Sequence, residues 1–580
     1  VRVLLVLYCA MILSGPPRRR RLRVLRAHVA GGATAATERL AWEETASSYS
    51  TGMFRPVEEE AHALPCRVAA GGAGGKALPC DLAGTYLRNG PNARFPARPG
   101  TDPFHYFDGD GMIASFTLDG RGGCTFSHKW VRTARFQSDA RKGRSLYDFG
   151  ALSVGKPVGH RVLDDDGHRM GKANTSLLLH HRRFYALEDA DLPYRIALPS
   201  LRTVGRVRFE VDGAAVRQGG GEEEEEEEEE GDDDGAAEQR VFTAHPKVCP
   251  STGELIGYGC EYTPMDQQWV YRLLSKDGLL TRQFAIPLRH TSYNHDCAAT
   301  RNFSIVYDGN LVLSWDKVMG GGGVRSSSST SDDGIWQFRR AIPGRIGIFP
   351  RHATDHTQVQ WFDVDPYCVS HTACAWEETD TGSGHPIVVI ITNNIGHESF
   401  SPTFPAETPK DPDANLHEYR FHLGSGRVEE KALMRLRSDF PTTHSAWNKQ
   451  ELGRKPRFVY AALLDYEEPN HAPILFGAYK YDLASGACKR ELWGDDCYGG
   501  EPFFAPRPNP RAEDDGYVLV LVNNARQRRT ELRIFDAVRF GQPNSAALVA
   551  TIVCPRRIVP MGTHGVWLDK SAMEDASCEL

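Results

Sequence analysis

The sequence predicts an all-β protein with a closed, multi-bladed architecture. Of its 580 residues, 56 are glycine and 35 are proline, which favours tight turns between short strands over long helices. Short runs of β-branched and aromatic residues recur from about residue 84 to 568, punctuated by Gly, Pro, Asn and Asp,. Clear examples of these predicted strands are Arg183 to Leu187, Gln239 to Thr243, Pro386 to Thr392, Arg457 to Ala461 and Tyr517 to Val522.

The composition excludes several classes of protein. With 41% hydrophobic and 25% charged residues, the chain is neither disordered throughout nor a membrane bundle. The net charge of −7 arises from twelve acidic residues in one run, Glu222 to Glu230 and Asp232 to Asp234; without it, the basic residues are in excess by five. A nearly neutral body argues against a nucleic-acid partner. The thirteen cysteines form no CxxC pair, so a reduced compartment is expected.

The first 60 residues are interpreted as a targeting leader or a disordered terminus. Residues 1–37 contain seven Arg and no Asp or Glu, and they include the apolar run Val3 to Leu13. This combination resembles a two-part leader and predicts a plastid protein, with a cytoplasmic location as the alternative. Residues 61–580 are then one domain, interrupted by two polar insertions, Gln218 to Ala237 and residues 320–334, which we expect to be solvated, disordered loops.

Four histidines stand in segments rich in residues that build sites. They are His245 in AHPK, His295 in HD, His371 in HTACAWEE and His564 in GTHG. Separations of 50, 76 and 193 residues exclude a local metal-binding finger. These side chains can meet only if the fold brings distant strands to one axis, as a propeller does. His290, five residues before His295, is the nearest competitor.

Ten segments in order along the chain resemble the carotenoid cleavage dioxygenase family, and within it the plant-type 9-cis-epoxycarotenoid dioxygenases. They are GTYLRNGPNARF (84–95), HYFDGDGMI (105–113), ALEDADLPYRI (186–196), FTAHPKV (242–248), HDCAATRNF (295–303), HTACAWEE (371–378), LGRKPRFVY (452–460), YGGEPFF (498–504), EDDGYVLVLV (513–522) and MGTHGVW (561–567). This resemblance implies a seven-bladed β-propeller with a cap of loops and short helices over an axial iron site.

The resemblance further implies one Fe(II) per chain, bound by His245, His295, His371 and His564. Four imidazoles on an octahedral ion leave two positions open for O2 and for water or substrate. No catalytic side chain is expected beyond these ligands and the carboxylates that orient them.

In the family, three Glu accept hydrogen bonds from the second, third and fourth of these histidines. Glu501 matches that pattern, whereas Asp189 and Asp439 stand where Glu is usual. Because Asp is one methylene shorter, Asp189 is expected to reach His295 only through water. Glu188 is displaced by one position, and adjacent strand residues face opposite sides. Cys374 is a further departure, since HxxNAWEE is usual there.

The expected reaction is cleavage of a conjugated C=C bond of a carotenoid or epoxycarotenoid with O2 to give two carbonyl products. Peripheral membrane contact is expected because such substrates dissolve in membranes. The aromatic residues Trp376, Phe503, Phe504 and Trp567 are candidates for the wall of a substrate tunnel. The alternatives are a family member that cleaves stilbenes or apocarotenoids, an isomerising member, and an iron-free propeller that acts as a binding scaffold.

Overall fold

The computed structural model describes most of the chain beyond the predicted leader. The described residues are 52–69, 77–95, 109–146, 169–213, 239–261, 267–315, 336–394, 415–443, 453–467, 472–542, 546–559 and 562–577. Residues 1–51 of the predicted leader and both predicted insertions, 218–237 and 320–334, lie outside them.

Strands dominate the described residues. In chain order they are β1 (Ala61–Pro65), β2 (Arg67–Val68), β3 (Ala83–Arg88), β4 (Pro91–Asn92), β5 (Asp110–Asp119), β6 (Cys124–Trp130), β7 (Ser176–His180), β8 (Arg183–Leu187), β9 (Tyr194–Ala197), β10 (Arg202–Arg206), β11 (Lys247–Val248), β12 (Leu255–Glu261), β13 (Gln268–Leu274), β14 (Leu280–Pro287), β15 (Ala298–Ala299), β16 (Phe303–Asp308), β17 (Leu311–Leu313), β18 (Trp336–Phe338), β19 (Gly344–Pro350), β20 (Gln360–Val364), β21 (Val369–Thr379), β22 (Pro386–Asn394), β23 (Asn415–His422), β24 (Val428–Met434), β25 (Ser438–Thr442), β26 (Phe458–Glu467), β27 (Ala472–Asp482), β28 (Cys488–Leu492), β29 (Cys497–Gly499), β30 (Phe503–Pro506), β31 (Gly516–Asn524), β32 (Arg529–Asp536), β33 (Leu548–Val553) and β34 (Gly565–Asp569).

Helices are few among the described residues: α1 (Ala134–Lys142), α2 (Lys570–Ser577) and two short 3-10 turns, Gly52–Phe54 and His356–Gln358. Helix α1 begins where the Thr133 side chain accepts a hydrogen bond from the backbone N–H of Phe136,. It ends at Gly143, whose φ of 66° is the left-handed conformation that glycine adopts at little cost,. None of these helices is long and apolar enough to cross a membrane.

The strands form seven antiparallel sheets, the blades of a β-propeller. Blade 1 has the order β1-β6-β5-β3-β34, with β4 beside β5. Blades 2 to 6 have four strands each: β10-β9-β8-β7, β11-β12-β13-β14, β15-β16-β19-β20, β21-β22-β23-β24 and β25-β26-β27-β28. Blade 7 has the order β2-β33-β32-β31-β29, with β30 also paired to β31, and a separate hairpin joins β17 to β18. The predicted seven-bladed fold is confirmed.

The core is divided among the seven interfaces between neighbouring blades. Representative buried pairs, from the blade 1–2 interface round to the blade 7–1 interface, are Leu87 with Phe184, Leu192 with Phe242, Trp269 with Phe349, Ile346 with Val388, Trp376 with Tyr479, Tyr460 with Val518, and Phe116 with Leu519. Burying one such large apolar side chain stabilises the fold by roughly 1.5–3 kcal/mol. Stability therefore comes from the whole ring and does not depend on one local centre.

The propeller is closed by strand pairing between the two ends of the chain. The C-terminal strand β34 pairs with β3 in blade 1, and the N-terminal strand β2 pairs with β33 in blade 7. Contacts between β15 and β21, β21 and β25, β30 and β34, and β34 and β7 place one edge strand of each of these blades around a common axis. Side chains at the ends of these inner strands can therefore meet.

Candidate metal centre

Four imidazoles meet at the axis. One ring nitrogen from each of His245, His295, His371 and His564 lies within 4.8 Å of the others. The Nε2 atom of His295 is 3.0 Å from Nε2 of His245 and 3.3 Å from Nε2 of His371. Two nitrogens at right angles on one ion, with metal–nitrogen bonds of roughly 2.1 Å, would lie about 3 Å apart. The spacing is that of adjacent ligands on one metal ion.

The four histidines occupy similar positions on four different blades. His371 lies in β21, the inner strand of blade 5, and His564 immediately precedes β34, the inner strand of blade 1. His245 stands two residues before β11 in blade 3, and His295 three residues before β15 in blade 4. The propeller thus joins residues that are widely separated in sequence.

Three of the four rings are oriented by carboxylates. The Nδ1 atom of His371 lies 2.7 Å from Oδ1 of Asp439, and that of His564 lies 3.0 Å from Oε1 of Glu501. Because a carboxylate only accepts hydrogen bonds, each Nδ1 carries the hydrogen and each Nε2 keeps its lone pair for a metal. Asp439 belongs to β25 of blade 6, and Glu501 lies between β29 and β30 of blade 7.

The expectation that Asp189 reaches its histidine only through water is wrong. Its Oδ2 lies 2.8 Å from Nδ1 of His295, and its Oδ1 accepts the backbone N–H of Ala244 at 2.7 Å. Asp189 lies in the turn after β8 of blade 2, beyond the last strand residue, so the backbone compensates for the shorter side chain. Glu188 points away and accepts backbone N–H groups of Lys172 and Ala173. Each of the seven blades therefore contributes one of the seven predicted site residues.

The pKa shifts describe a site with ionised carboxylates. Burial lowers the pKa of His245 well below its usual value and also lowers that of His564, although the Glu501 carboxylate opposes the shift. Burial acts in the same direction on His371, but the Asp439 carboxylate outweighs it and the pKa is raised. Burial raises the pKa of both carboxyl groups, yet the histidines they contact outweigh it, so both pKa values are lowered. The lowered pKa values of His245 and His564 favour the neutral form, in which imidazole binds a metal,.

His245 differs from the other three, since no carboxylate among the described residues contacts its ring. Its backbone N–H donates to Oγ1 of Thr243 at 3.0 Å. Its neighbour Ala244 donates to Asp189, which also orients His295. The segment that carries His245 is therefore fixed through its backbone.

Other sequence-predicted positions lie outside the cluster. His290 is not among the four converging histidines. Cys374 packs against the apolar core between blades 5 and 6. Of the aromatic candidates for a tunnel wall, Trp376, Phe503 and Phe504 are buried in the cores between blades, and Trp567 packs against one of these cores.

Sequence reasoning assigned no role to Arg88, which lies within the RNGP part of the first motif. Arg88 is 2% exposed, and its guanidinium donates to the backbone oxygens of Gly562, Thr563 at 3.2 Å and Glu501 at 3.4 Å. A Cβ on Gly500 would lie 2.6 Å from its Nη2, and one on Gly562 2.5 Å from its Nε. The glycines of YGGEP and GTHG thus leave room for Arg88 beside His564.

Phe440 is a second residue without a sequence-based role. It follows Asp439, is 6% exposed, and has a φ of 54°, a conformation that phenylalanine adopts only under strain,. Its ring centroid lies 5.2 Å from that of His371 and 5.4 Å from that of His564. The strained backbone places an apolar ring directly beside two of the histidines.

Four convergent imidazoles, three of them oriented by carboxylates, form a candidate metal site at the axis of a propeller, and the donor set fits ferrous iron,. Over residues 54–569 the sequence matches the family described as RPE65, retinal pigment epithelial membrane protein. The chain therefore belongs to this family, which includes the carotenoid cleavage dioxygenases, and the prediction of an oxidoreductase of that family is confirmed.

Curated relatives align with nearly the whole chain. The carotenoid 9,10(9',10')-cleavage dioxygenase of Crocus sativus is 28% identical, over 91% of this chain and 90% of that protein. The carotenoid 9,10(9',10')-cleavage dioxygenase 1 of Pisum sativum is 29% identical, over 90% of each. The chloroplastic 9-cis-epoxycarotenoid dioxygenase NCED6 of Arabidopsis thaliana is 26% identical, over 90% of this chain and 82% of that protein.

Solved structures share the fold. The lignostilbene dioxygenase of Pseudomonas brassicacearum has a TM-score of 0.70 at 24% identity, with 90% of this chain and 98% of that chain covered. The cobalt-substituted apocarotenoid oxygenase of Synechocystis has a TM-score of 0.66 at 24% identity, with 89% and 97% covered.

Proposed function

We propose that this protein is a non-haem iron(II) dioxygenase that cleaves a conjugated C=C bond of a carotenoid or epoxycarotenoid with O2. The observation that carries the proposal is the convergence of four histidine nitrogens at the propeller axis, with three of the rings oriented by carboxylates. The substrate class is supported by relatives named for 9,10(9',10')-carotenoid cleavage and for 9-cis-epoxycarotenoid cleavage.

His245, His295, His371 and His564 would hold one Fe(II) per chain. Iron in a site with open positions supplies the O2 chemistry that inserts one oxygen atom at each carbon of the cut bond, which gives two carbonyl products. The carboxylates Asp189, Asp439 and Glu501 keep three imidazoles in the tautomer and orientation that binding requires. No side-chain acid or base is assigned, because neither new carbonyl group needs a proton.

Aromatic rings beside the histidines provide an apolar surface for a polyene. Phe440 lies against His371 and His564, and the Tyr293 ring stacks on His295 with centroids 5.8 Å apart. The Trp336 ring meets Tyr293 edge-on at 5.5 Å. These rings would exclude water next to the reacting bond.

The test is product analysis after coexpression in carotenoid-producing cells, followed by assays of the purified protein under 18O2. We expect two apocarotenoid carbonyl products with 18O in both and close to one iron per chain. Cleavage restricted to stilbenes or shortened apocarotenoids would show that the proposed substrate class is wrong. An isomerised product without 18O would show that the protein is an isomerase and not a dioxygenase. A folded protein that binds no metal would show that it is a binding scaffold.

A matched pair of variants tests the ligand assignment. His295→Ala should abolish cleavage and iron retention, whereas His290→Ala, five residues away and outside the cluster, should leave both near wild type. The reverse result would show that the wrong histidine is assigned. Both variants should keep the thermal unfolding midpoint of the metal-free protein, since the blade cores provide the stability.

We propose a plastid location, with residues 1–60 as the leader. Of these, only residues 52–60 are among the described residues. The relative from Arabidopsis thaliana is named chloroplastic. A fluorescent protein carrying residues 1–60 should enter plastids, and retention in the cytoplasm would reject the leader. Peripheral membrane contact is proposed from the solubility of carotenoids, and co-flotation of the protein with lipid vesicles tests it.

A further inference from the structure

A fourth carboxylate lies behind the metal centre without touching any of its rings. The Asp296 side chain is 2% exposed. Its Oδ1 accepts the Lys247 ammonium at 2.6 Å and the backbone N–H of Cys297 at 2.7 Å, and its Oδ2 accepts the backbone N–H of Thr372 at 2.6 Å. One carboxylate is therefore shared by three donors from different blades.

These donors stand next to three of the four histidines. Lys247 is two residues after His245 in blade 3, and Asp296 directly follows His295 in blade 4. Thr372 directly follows His371 in blade 5. The Asp296 carboxylate joins the inner ends of three successive blades at the residues that carry their histidines.

We propose that Asp296 is a positioning residue of the metal centre, which sets the mutual spacing of His245, His295 and His371 through Lys247 and the backbone of Thr372. This inference rests on the proposed function, because it takes the four histidines as metal ligands. Asp296 would then support His245 indirectly, whereas Asp189, Asp439 and Glu501 orient the other three rings by direct contact.

The chemistry of the contact requires a carboxylate. All three groups that face Asp296 are donors, so only a side chain with two acceptor oxygens satisfies them. In Asp296→Asn one oxygen becomes an NH2 group, which points a donor at the ammonium or at a backbone N–H. The three segments then lose a shared anchor while the side-chain volume is unchanged.

The chain offers a matched control in a second Lys–Asp pair. Lys480 of β27 in blade 6 donates to Oδ2 of Asp514 at 2.5 Å, and Asp514 precedes β31 of blade 7. This pair also joins neighbouring blades and is largely buried, with side-chain exposures of 6% and 14%. Neither residue adjoins a histidine of the cluster, so Asp514→Asn makes the same chemical change away from the centre.

The experiment measures Co(II) binding by the metal-free full-length protein, using the visible ligand-field bands and competition with a chelator. Asp296→Asn should raise the Co(II) dissociation constant about 10–100-fold and alter the bands, because the ligand geometry changes. Asp514→Asn should leave both at wild-type values. If Asp296→Asn gives no folded protein, Lys247→Gln takes its place, with the same direction and about a tenfold effect expected.

An Asp296→Asn protein with a lowered unfolding temperature but wild-type Co(II) affinity and bands would overturn the inference, because the residue would then be only structural. Equal loss of Co(II) affinity in Asp514→Asn would overturn it as well. A wild-type protein that shows no bands of a nitrogen-bound Co(II) would overturn the proposed function and this inference together.

Discussion

The two sides of the metal centre are built differently. On the side of blades 3 to 5, His245, His295 and His371 come from successive blades and are tied together by Asp189 and Asp296. On the opposite side, His564 precedes the last strand and is held where the two ends of the chain meet. There Arg88 of β3 bonds to backbone oxygens 413 and 475 positions away, at Glu501 and Thr563.

The difference shows two ways of positioning a ligand. Around blades 3 to 5, polar contacts among residues of blades 2 to 5 set the geometry, and none of these contacts involves the two ends of the chain. At the closure, His564 takes its place only when β34 has paired with β3 and the ring is complete. We therefore expect the closure side to depend on global folding and the other side on local carboxylates.

The largest expected effect comes from removing one histidine on each side. His371→Ala and His564→Ala should each reduce cleavage below detection and remove the iron, because each substitution removes one of the four ligands of the ion. Iron analysis by mass spectrometry and product chromatography are the measurements. Retention of activity by only one of the variants would show that the two histidines are not equivalent as metal ligands.

The next largest effect is expected at the closure. Arg88→Met should lower the free energy of unfolding by about 2–4 kcal/mol, because it leaves buried carbonyl groups without a donor, and it should also weaken iron retention. The measurement is denaturant unfolding together with iron content.

Arg507 provides the control for Arg88. It also ties the N-terminal part of the chain to blade 7, through Asp81, Asp515 and Asp536, but it is 25% exposed and contacts none of the histidines. Arg507→Met should cost stability and leave iron content unchanged. Loss of iron in both variants would mean that any damage to the closure disturbs the site.

On the other side, Asp189→Ala should weaken metal affinity about 10–100-fold, because a direct hydrogen bond to His295 is lost,. Asp189→Glu should weaken it less, since the longer side chain can reach the ring but must displace the backbone contact at Ala244. Chelator competition measures both. Glu188→Gln alters the adjacent carboxylate, which does not contact the site, and should retain wild-type affinity. A loss of affinity equal to that of Asp189→Ala would show that the wrong carboxylate has been assigned.

The smallest effect is expected from deletion of residues 218–237. Described residues on the two sides of the segment lie close together, because the Gln239 side chain exchanges two hydrogen bonds of 2.9 Å with the backbone of Phe209. Loop-closure cost changes slowly with length, so unfolding should shift by less than about 1 kcal/mol and cleavage should stay near wild type. Loss of soluble protein would contradict the interpretation as a solvated loop.

Much of this protein was predictable from its sequence. The Gly- and Pro-rich pattern of short strands predicted a multi-bladed β fold, and ordered motifs indicated the family and the seven blades. The same motifs singled out His245, His295, His371 and His564, which the structure brings together. The structure places Glu501 and the two aspartates beside these rings, at positions that the motifs indicate, because a motif preserves the position of a residue even where its type changes.

Only the tertiary structure decided which contacts those residues make. The reach of Asp189 depended on the turn after β8, where the alternation of a strand no longer sets the side-chain direction. The roles of Arg88, Phe440 and Asp296 arise from segments that are distant in sequence and meet at the axis. A sequence records residue types and their order, whereas the distance between two side chains on different blades is set by the packing of every blade between them.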